Sequence, residues 1–364
     1  MRPKGKVASA RETCKKMIVD GLYQSGGLRL FQGISRHYEL ASEGVRSGLR
    51  KVRKAKYVVL GYHRVGTEGV PFYCTLSQRV FAEQMRHIRR HYRVLSVSEL
   101  ASELQDPDAK GLGVVVTFDD GYVGTYTQAF PVLQEYNMPV TVYLAAGAIE
   151  TGEILWYDQI FLRFQKVPSE LSLMLERPRT YQFSSARARI DAATEVVMYL
   201  RSLPDDKRQA WCEDFARRIP LNAAEVRGCM MDWRQIRVMR QNGISFGAHT
   251  MTHPVVSRLD PERLSQEICR SKQLIEERID QPVVDFAFPF GKSRDCGAIG
   301  AAALEPIGFR TALTTIVGVN RPGADRFRLR RMNVGGDSPI AAFAVALERL
   351  FFCQTDEEPA SAVA

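Results

Sequence analysis

Two short segments hold most of the chemistry this sequence offers. Asp119 and Asp120 stand side by side in TFDDGY (117–122), directly behind the apolar run LGVVVTF (112–118). His249 and His253 stand in HTMTHP (249–254), directly behind ISFGA. Adjacent carboxylates repel each other unless a cation neutralises one of them. Two histidines at i and i+4 on a helical turn lie roughly 5–6 Å apart at Cβ, a span suited to a single ion. Taken alone, Asp-Gly is an ordinary turn signal and His-x-x-x-His an ordinary pair on a solvated helix. Together they supply the parts of a two-histidine, one-carboxylate metal site, and three protein ligands with open positions suit catalysis, not a closed structural centre.

The surrounding pattern predicts elements able to present such residues. YVVLGYH (57–63), LGVVVTF, PVTVYLAA (139–146), ISFGAH (244–249), VVDFAFPFG (283–291) and residues 309–317 read as strands. Residues 77–91, 126–136, 232–243, 260–279, 299–308 and 337–353 read as helices between or after them. Ser77 is a plausible cap for the first and Gly243 a stop for the third. Alternation of this kind implies a parallel sheet with crossover helices, in which functional side chains gather at the carboxyl ends of the strands. The rhythm breaks over about 152–230, an Arg-rich, helix-favouring stretch read as a helical insertion.

The charge is uneven. Of 50 Lys/Arg and 41 Asp/Glu, residues 1–56 hold 14 and 4, so the remaining 36 and 37 nearly cancel. The basic character thus belongs to an N-terminal extension, residues 1–56, suited by charge alone to anionic membrane surfaces, nucleic acid or an acidic ligand. That extension shows no nucleic-acid-binding motif, and none is expected as a partner. Seven widely spaced cysteines with no C-x-x-C pair read as free thiols, not as disulfides or a cysteine zinc site. No run approaches the ~18 apolar residues of a membrane span, and the start lacks an apolar signal core. A cytoplasmic location, or one peripheral to the inner membrane face, is the expectation.

TFDDGY, HTMTHP and FAFPFG (285–291 without its leading Asp) resemble the NodB-type polysaccharide deacetylases, carbohydrate esterase family four, over about residues 57–335. YHRV (62–65), LWYD (155–158) and DWRQI (232–236) resemble a large bacterial branch of that family. The resemblance implies a deformed (β/α)7-type barrel at 57–353, with the insertion at about 152–230 and a tail at 354–364. It implies that Asp120, His249 and His253 bind a divalent ion, most often zinc, with cobalt, nickel or manganese as alternatives. Asp119 becomes the general base for water that the ion activates, and Thr250 braces the loop between the histidines. The implied reaction is removal of N-acetyl groups from amino sugars of a polysaccharide or lipid-linked glycan. Removal of O-acetyl or other N-acyl groups is the nearest alternative, and a non-catalytic glycan-binding protein that retains the fold is another.

Three departures from the family pattern matter. The third motif of many relatives carries an arginine that orients the base, where this chain has Ala287. No histidine follows His253, so the usual C-terminal general acid is missing, and the Asp/Trp motif is not recognisable. His63, behind the first strand, is a candidate proton donor to the departing amine, and Arg331 a candidate partner for Asp119. A backbone N–H near Tyr122 is a candidate oxyanion donor, and Phe290 a candidate substrate contact.

Overall fold

The computed structural model describes residues 55–66, 75–299 and 301–353. Almost all of the basic extension (1–54) and the tail (354–364) lie outside these residues, and with them the expected membrane contact. Seven short strands succeed one another around an axis: β1 (Lys56–Tyr62), β3 (Leu112–Phe118), β4 (Val140–Leu144), β7 (Ser245–Ala248), β8 (Asp285–Ala287), β9 (Thr311–Leu313) and β10 (Arg331–Asn333). Their order is β10-β1-β3-β4-β7-β8-β9, and β2 (Arg93–Leu95) pairs with β3 off this path. Each pairing among these strands is parallel. The segment leading into β10 bonds to β9 and its continuation: Leu329 N–H donates to Ala312 C=O at 3.0 Å, Thr314 N–H to Leu329 C=O at 2.9 Å, and Arg331 N–H to Ile316 C=O at 2.8 Å. The sheet thus nearly closes into the expected deformed barrel.

Both faces of the strands are covered, so β3 is buried along its whole length and β1 at all but its first residue. Side-chain alternation sends Tyr57, Val59, Val115, Tyr143, Ala287, Leu313 and Leu329 into one inner cluster, which Leu100 of helix Val97–Glu103 joins. On the outer face Tyr62 stacks on Phe118 at 5.4 Å and meets Phe81 of helix Gln78–His91 edge-on at 5.3 Å. Ser77 caps that helix, and Asp232 and Asp260 cap helices Trp233–Gln241 and Pro261–Ile279. Each cap occupies an orphan N–H of the first turn and sets where the chain leaves its preceding loop.

Two local readings change. The expected helix at 126–136 opens with a π-helical turn, Thr125–Ala129, before helix Phe130–Glu135. The inserted stretch is not wholly helical. Beside helices Trp156–Lys166, Ala186–Ser202, Asp205–Arg218 and Ala223–Val226 it holds an antiparallel hairpin, β5 (Glu170–Met174) with β6 (Pro178–Gln182). The hairpin survives because Leu171, Leu173 and Tyr181 are buried while their strand neighbours face solvent. Tyr181 and Phe183 join Phe164 and Phe215 in a small aromatic core of the insertion. So brief an alternation is a weak sequence signal, and tertiary burial selects it.

Among the described residues no helix is long and apolar enough to cross a membrane. Cys212, Cys229, Cys269 and Cys296 stand outside any disulfide.

Candidate active site

The strands end on one side of the barrel, and the chemically competent residues follow them there. His63 comes after β1, Asp119 and Asp120 after β3, His249 after β7, and Phe288–Gly291 after β8. Asp119 N–H still donates to Tyr62 C=O at 2.9 Å, so Asp119 keeps the strand's alternation and points inward. The chain then turns sharply. Asp120 has φ of 71° and Gly121 of 90°, and Gly121 N–H donates back to Asp119 C=O at 2.8 Å. A Cβ at Gly121 would stand 2.9 Å from Ile149 Cδ1, so both the conformation and the space require glycine. The two carboxylates thereby diverge into separate environments.

Thr250 (φ 65°), His253 (φ 56°) and Phe290 (φ 60°) are left-handed as well. Such conformations cost of order 1–3 kcal/mol each and persist where the surroundings overdetermine them. The two histidines are therefore not on a helical turn, as their spacing suggested; a loop folded back on itself brings them together. Thr250 holds that loop, its hydroxyl donating to His249 C=O while accepting from His253 N–H at 3.1 Å. Buried Glu267 accepts from Met251 N–H, Thr252 N–H and the Thr252 hydroxyl at 2.7–2.9 Å.

Asp120, His249 and His253 are all buried, and their ligand atoms lie within 4.8 Å of one another. Asp120 Oδ1 is 3.5 Å from His249 Nε2 and 3.3 Å from His253 Nε2. It has no hydrogen-bond partner among the described residues. An orphan buried carboxylate oxygen facing two imidazole nitrogens fits a divalent ion. His249 Nδ1–H donates to Ala287 C=O at 2.7 Å, which fixes the tautomer and leaves Nε2 its lone pair. Burial lowers the His249 pKa to about 4 against the pull of Asp119 and Asp120, so the ring is neutral, as a ligand must be. Burial opposes ionisation of Asp120, but the neighbouring histidines hold its pKa below the ordinary carboxylate value.

Asp119 meets Arg331 end-on: Nη1 to Oδ1 at 2.7 Å and Nη2 to Oδ2 at 2.6 Å, with the arginine fully buried. Burial works to raise the Asp119 pKa, and the charge and hydrogen bonds of Arg331 outweigh it and bring it below the ordinary value. Ala287 of the third motif thus contributes a carbonyl to His249, and the guanidinium beside Asp119 comes from β10. His63 Nε2 stands 3.8 Å from Asp119 Oδ2, with 37% of its side chain exposed. The ladder around Tyr122 uses Val123 N–H to Cys229 C=O and Met231 N–H to Gly121 C=O, so neither bond engages the Tyr122 N–H. Its hydroxyl donates to buried Asp158 at 2.8 Å. Phe290 packs edge-on against His253 at 4.8 Å, and Arg201 of the insertion lies 4.0 Å over its ring.

His63, Asp119, Asp120, His249, His253 and Phe290 share the lining of one cavity of about 290 Å³, with Asn333 beside them. Residue-by-residue reading missed Arg64, Tyr157 and Asp158. Tyr157 reads as a core or rim aromatic, yet its hydroxyl donates to Asp120 Oδ2 at 3.1 Å. Arg64 donates to Asp158 Oδ2 at 2.7 Å. The signal that could have found them was present in YHRV and LWYD, two motifs whose charged members meet here.

A nearly closed parallel barrel carrying an Asp-His-His cluster beside an arginine-paired carboxylate has the architecture of a hydrolase. The polysaccharide deacetylase family profile matches residues 107–304, more than half of the chain, and the chain belongs to that family. It is therefore a deacetylase, with polysaccharide as its class of substrate. It is 20% identical over 304 residues to the Bacillus subtilis protein YxkH, assigned by name to the polysaccharide deacetylases, covering 83% of this chain and 80% of that one. Its fold is similar to that of the Streptococcus pyogenes deacetylase PplD, solved in complex with acetate (TM-score 0.53, 18% identity, 80% of this chain and 98% of that one). It is also similar to IcaB from Ammonifex degensii (TM-score 0.51, 23% identity, 79% and 97%).

Proposed function

We propose that the chain removes N-acetyl groups from amino sugars of a polysaccharide or lipid-linked glycan, releasing acetate and a free amine. A divalent ion, zinc by preference, would be held by Asp120, His249 and His253. When bound, it supplies Lewis-acid polarisation and favours ionisation of water near neutral pH. The observation that carries the reading is the separation of two adjacent carboxylates: Asp120 turns its orphan oxygen to the histidines, while Asp119 is clamped by Arg331.

Asp119 acts as general base. Arg331 keeps it ionised and fixes both oxygens, so that it accepts a proton from the water attacking the acetyl carbonyl. The Tyr122 N–H is the protein donor for the oxygen that becomes negative in the tetrahedral intermediate. His63 borders the cavity within 3.8 Å of Asp119 and gives a proton to the departing amine. Phe290 forms the apolar wall on which a sugar ring rests.

The test is acetate release from N-acetylglucosamine oligomers by the purified chain with Zn²⁺ or Co²⁺. Asp119→Asn should lose that activity while binding metal as tightly as the parent. Undiminished release by this variant overturns the assignment of the base. Release from O-acetylated glycans, with none from N-acetylated ones, overturns the amide specificity.

A further inference from the structure

Two consecutive residues of the inserted segment each hold a different member of the proposed ligand set. Trp156 Nε1–H donates to His253 C=O at 3.0 Å, tying down a residue whose backbone is left-handed. The Tyr157 hydroxyl donates to Asp120 Oδ2 at 3.1 Å, and its ring packs against the His253 imidazole at 5.1 Å. With Oδ2 engaged, Asp120 presents Oδ1 to the two imidazole nitrogens. A carboxylate free to rotate about χ2 would exchange its oxygens, and Tyr157 removes that freedom.

Tyr157 is itself held. Its hydroxyl is 3.2 Å from that of Tyr122, which donates to Asp158 Oδ2 at 2.8 Å. Arg64 donates to the same Asp158 oxygen at 2.7 Å and lies 3.7 Å over the Tyr122 ring. A phenol has one hydrogen to give. With Asp158 taking the Tyr122 proton, Tyr157 directs its own to the Asp120 anion, the stronger acceptor. Arg64, Tyr122, Tyr157 and Asp158 are all buried, so the chain of contacts is shielded from solvent.

We propose that Trp156 and Tyr157 are positioning residues of the metal centre. Tyr157 reserves Asp120 Oδ1 for the ion, Trp156 sets the His253 backbone, and the Tyr122–Asp158–Arg64 chain fixes Tyr157. The insertion is then a working part of the centre, since helix Trp156–Lys166 completes its supporting layer. The inference rests on reading Asp120, His249 and His253 as ligands.

The experiment is zinc binding by the full chain in competition with a chromophoric chelator, with the Co²⁺ absorption spectrum as a second readout. Tyr157→Phe should weaken zinc binding by about 10–100-fold, the usual consequence of losing a partner that orients a ligand. It should also shift the Co²⁺ visible bands in a metal-free protein that still unfolds cooperatively. Trp156→Phe should weaken binding in the same direction, and Asp120→Ala should abolish it. Zinc affinity and Co²⁺ spectra unchanged in both aromatic variants overturn the inference and leave the ligand assignment standing. Failure of the parent protein to bind zinc or Co²⁺ overturns both. Should Tyr157→Phe not fold, Tyr122→Phe, which keeps Tyr157 but removes its support, must show the same loss or the inference fails.

Discussion

Arg331 and Asp119, 212 positions apart in the chain, form a bidentate ion pair inside the barrel. Strand register explains how. Arg331 pairs with Val59, and Val59 with Val115, so the arginine enters the barrel interior below Asp119. It passes Thr117, whose hydroxyl oxygen accepts from Nη1 at 3.3 Å, and gives its Nε–H to Thr314 C=O at 3.1 Å. A buried carboxylate thus receives its counter-charge from a strand 212 positions further along the chain.

Arg331→Met should leave Asp119 buried without a cation. Removing one partner of a buried pair typically costs about 3–5 kcal/mol. Urea denaturation should show a loss of that size, and acetate release should fall at least a hundredfold. In Arg331→Met/Asp119→Asn the destabilisation should be smaller than the sum of the single effects, because neither charge is then stranded.

The path of Arg331 depends on Gly61. A Cβ there would stand 2.8 Å from Asn333 Oδ1, 3.0 Å from Arg331 Cδ and 3.1 Å from Arg331 Nε. Gly61→Ala should therefore displace the arginine and destabilise the fold by about 1–3 kcal/mol, the usual range for overpacking. Thermal melting checks the stability, and a parallel drop in acetate release checks that Arg331 has moved.

Metal removal should be visible apart from catalysis. Treatment with a strong chelator should lower the melting temperature, and returning zinc should restore it, since a ligand at a thousandfold excess over Kd stabilises by about 4 kcal/mol. His253→Ala should make the melting temperature insensitive to both additions. A zinc-dependent rise that persists in this variant would contradict the role given to His253.

A pH effect is expected from a histidine outside the cavity lining. His87 is buried on helix Gln78–His91, with its ring 4.6 Å from His91 and edge-on to Phe343. Burial, aided by repulsion from His91, lowers its pKa from 6.5 to about 4. The unfolded chain therefore takes up this proton first as pH falls. The contribution of His87 is fully present above about pH 6.5 and declines as pH drops toward 4. His87→Gln should flatten the stability-versus-pH curve in that window, measured by denaturation midpoints at fixed ionic strength.

Much of the site was legible because it is local. TFDDGY and HTMTHP each place their reactive residues within a few positions of a strand end, where the strand itself aims them. The alternation of apolar runs and amphipathic segments likewise announced parallel strands with crossover helices, since burial on both faces leaves a continuous apolar signature, while the barrel was implied by the family resemblance. The sequence also named Arg331 as a candidate partner for Asp119, and strand register brings the two together in the buried interior.

Other features were decided by tertiary structure alone. The His249–His253 pair owes its geometry to left-handed turns at Thr250 and His253 and to the Glu267 clamp, not to helical spacing. The hairpin of the insertion exists because an aromatic core receives its inner face. Nothing in the residues adjoining Trp156 and Tyr157 says where their polar ends go; packing delivers them to His253 and Asp120. The difference is physical. Strand polarity and turn chemistry are written in neighbouring residues, whereas a hydrogen bond between positions tens or hundreds apart depends on how the whole barrel closes.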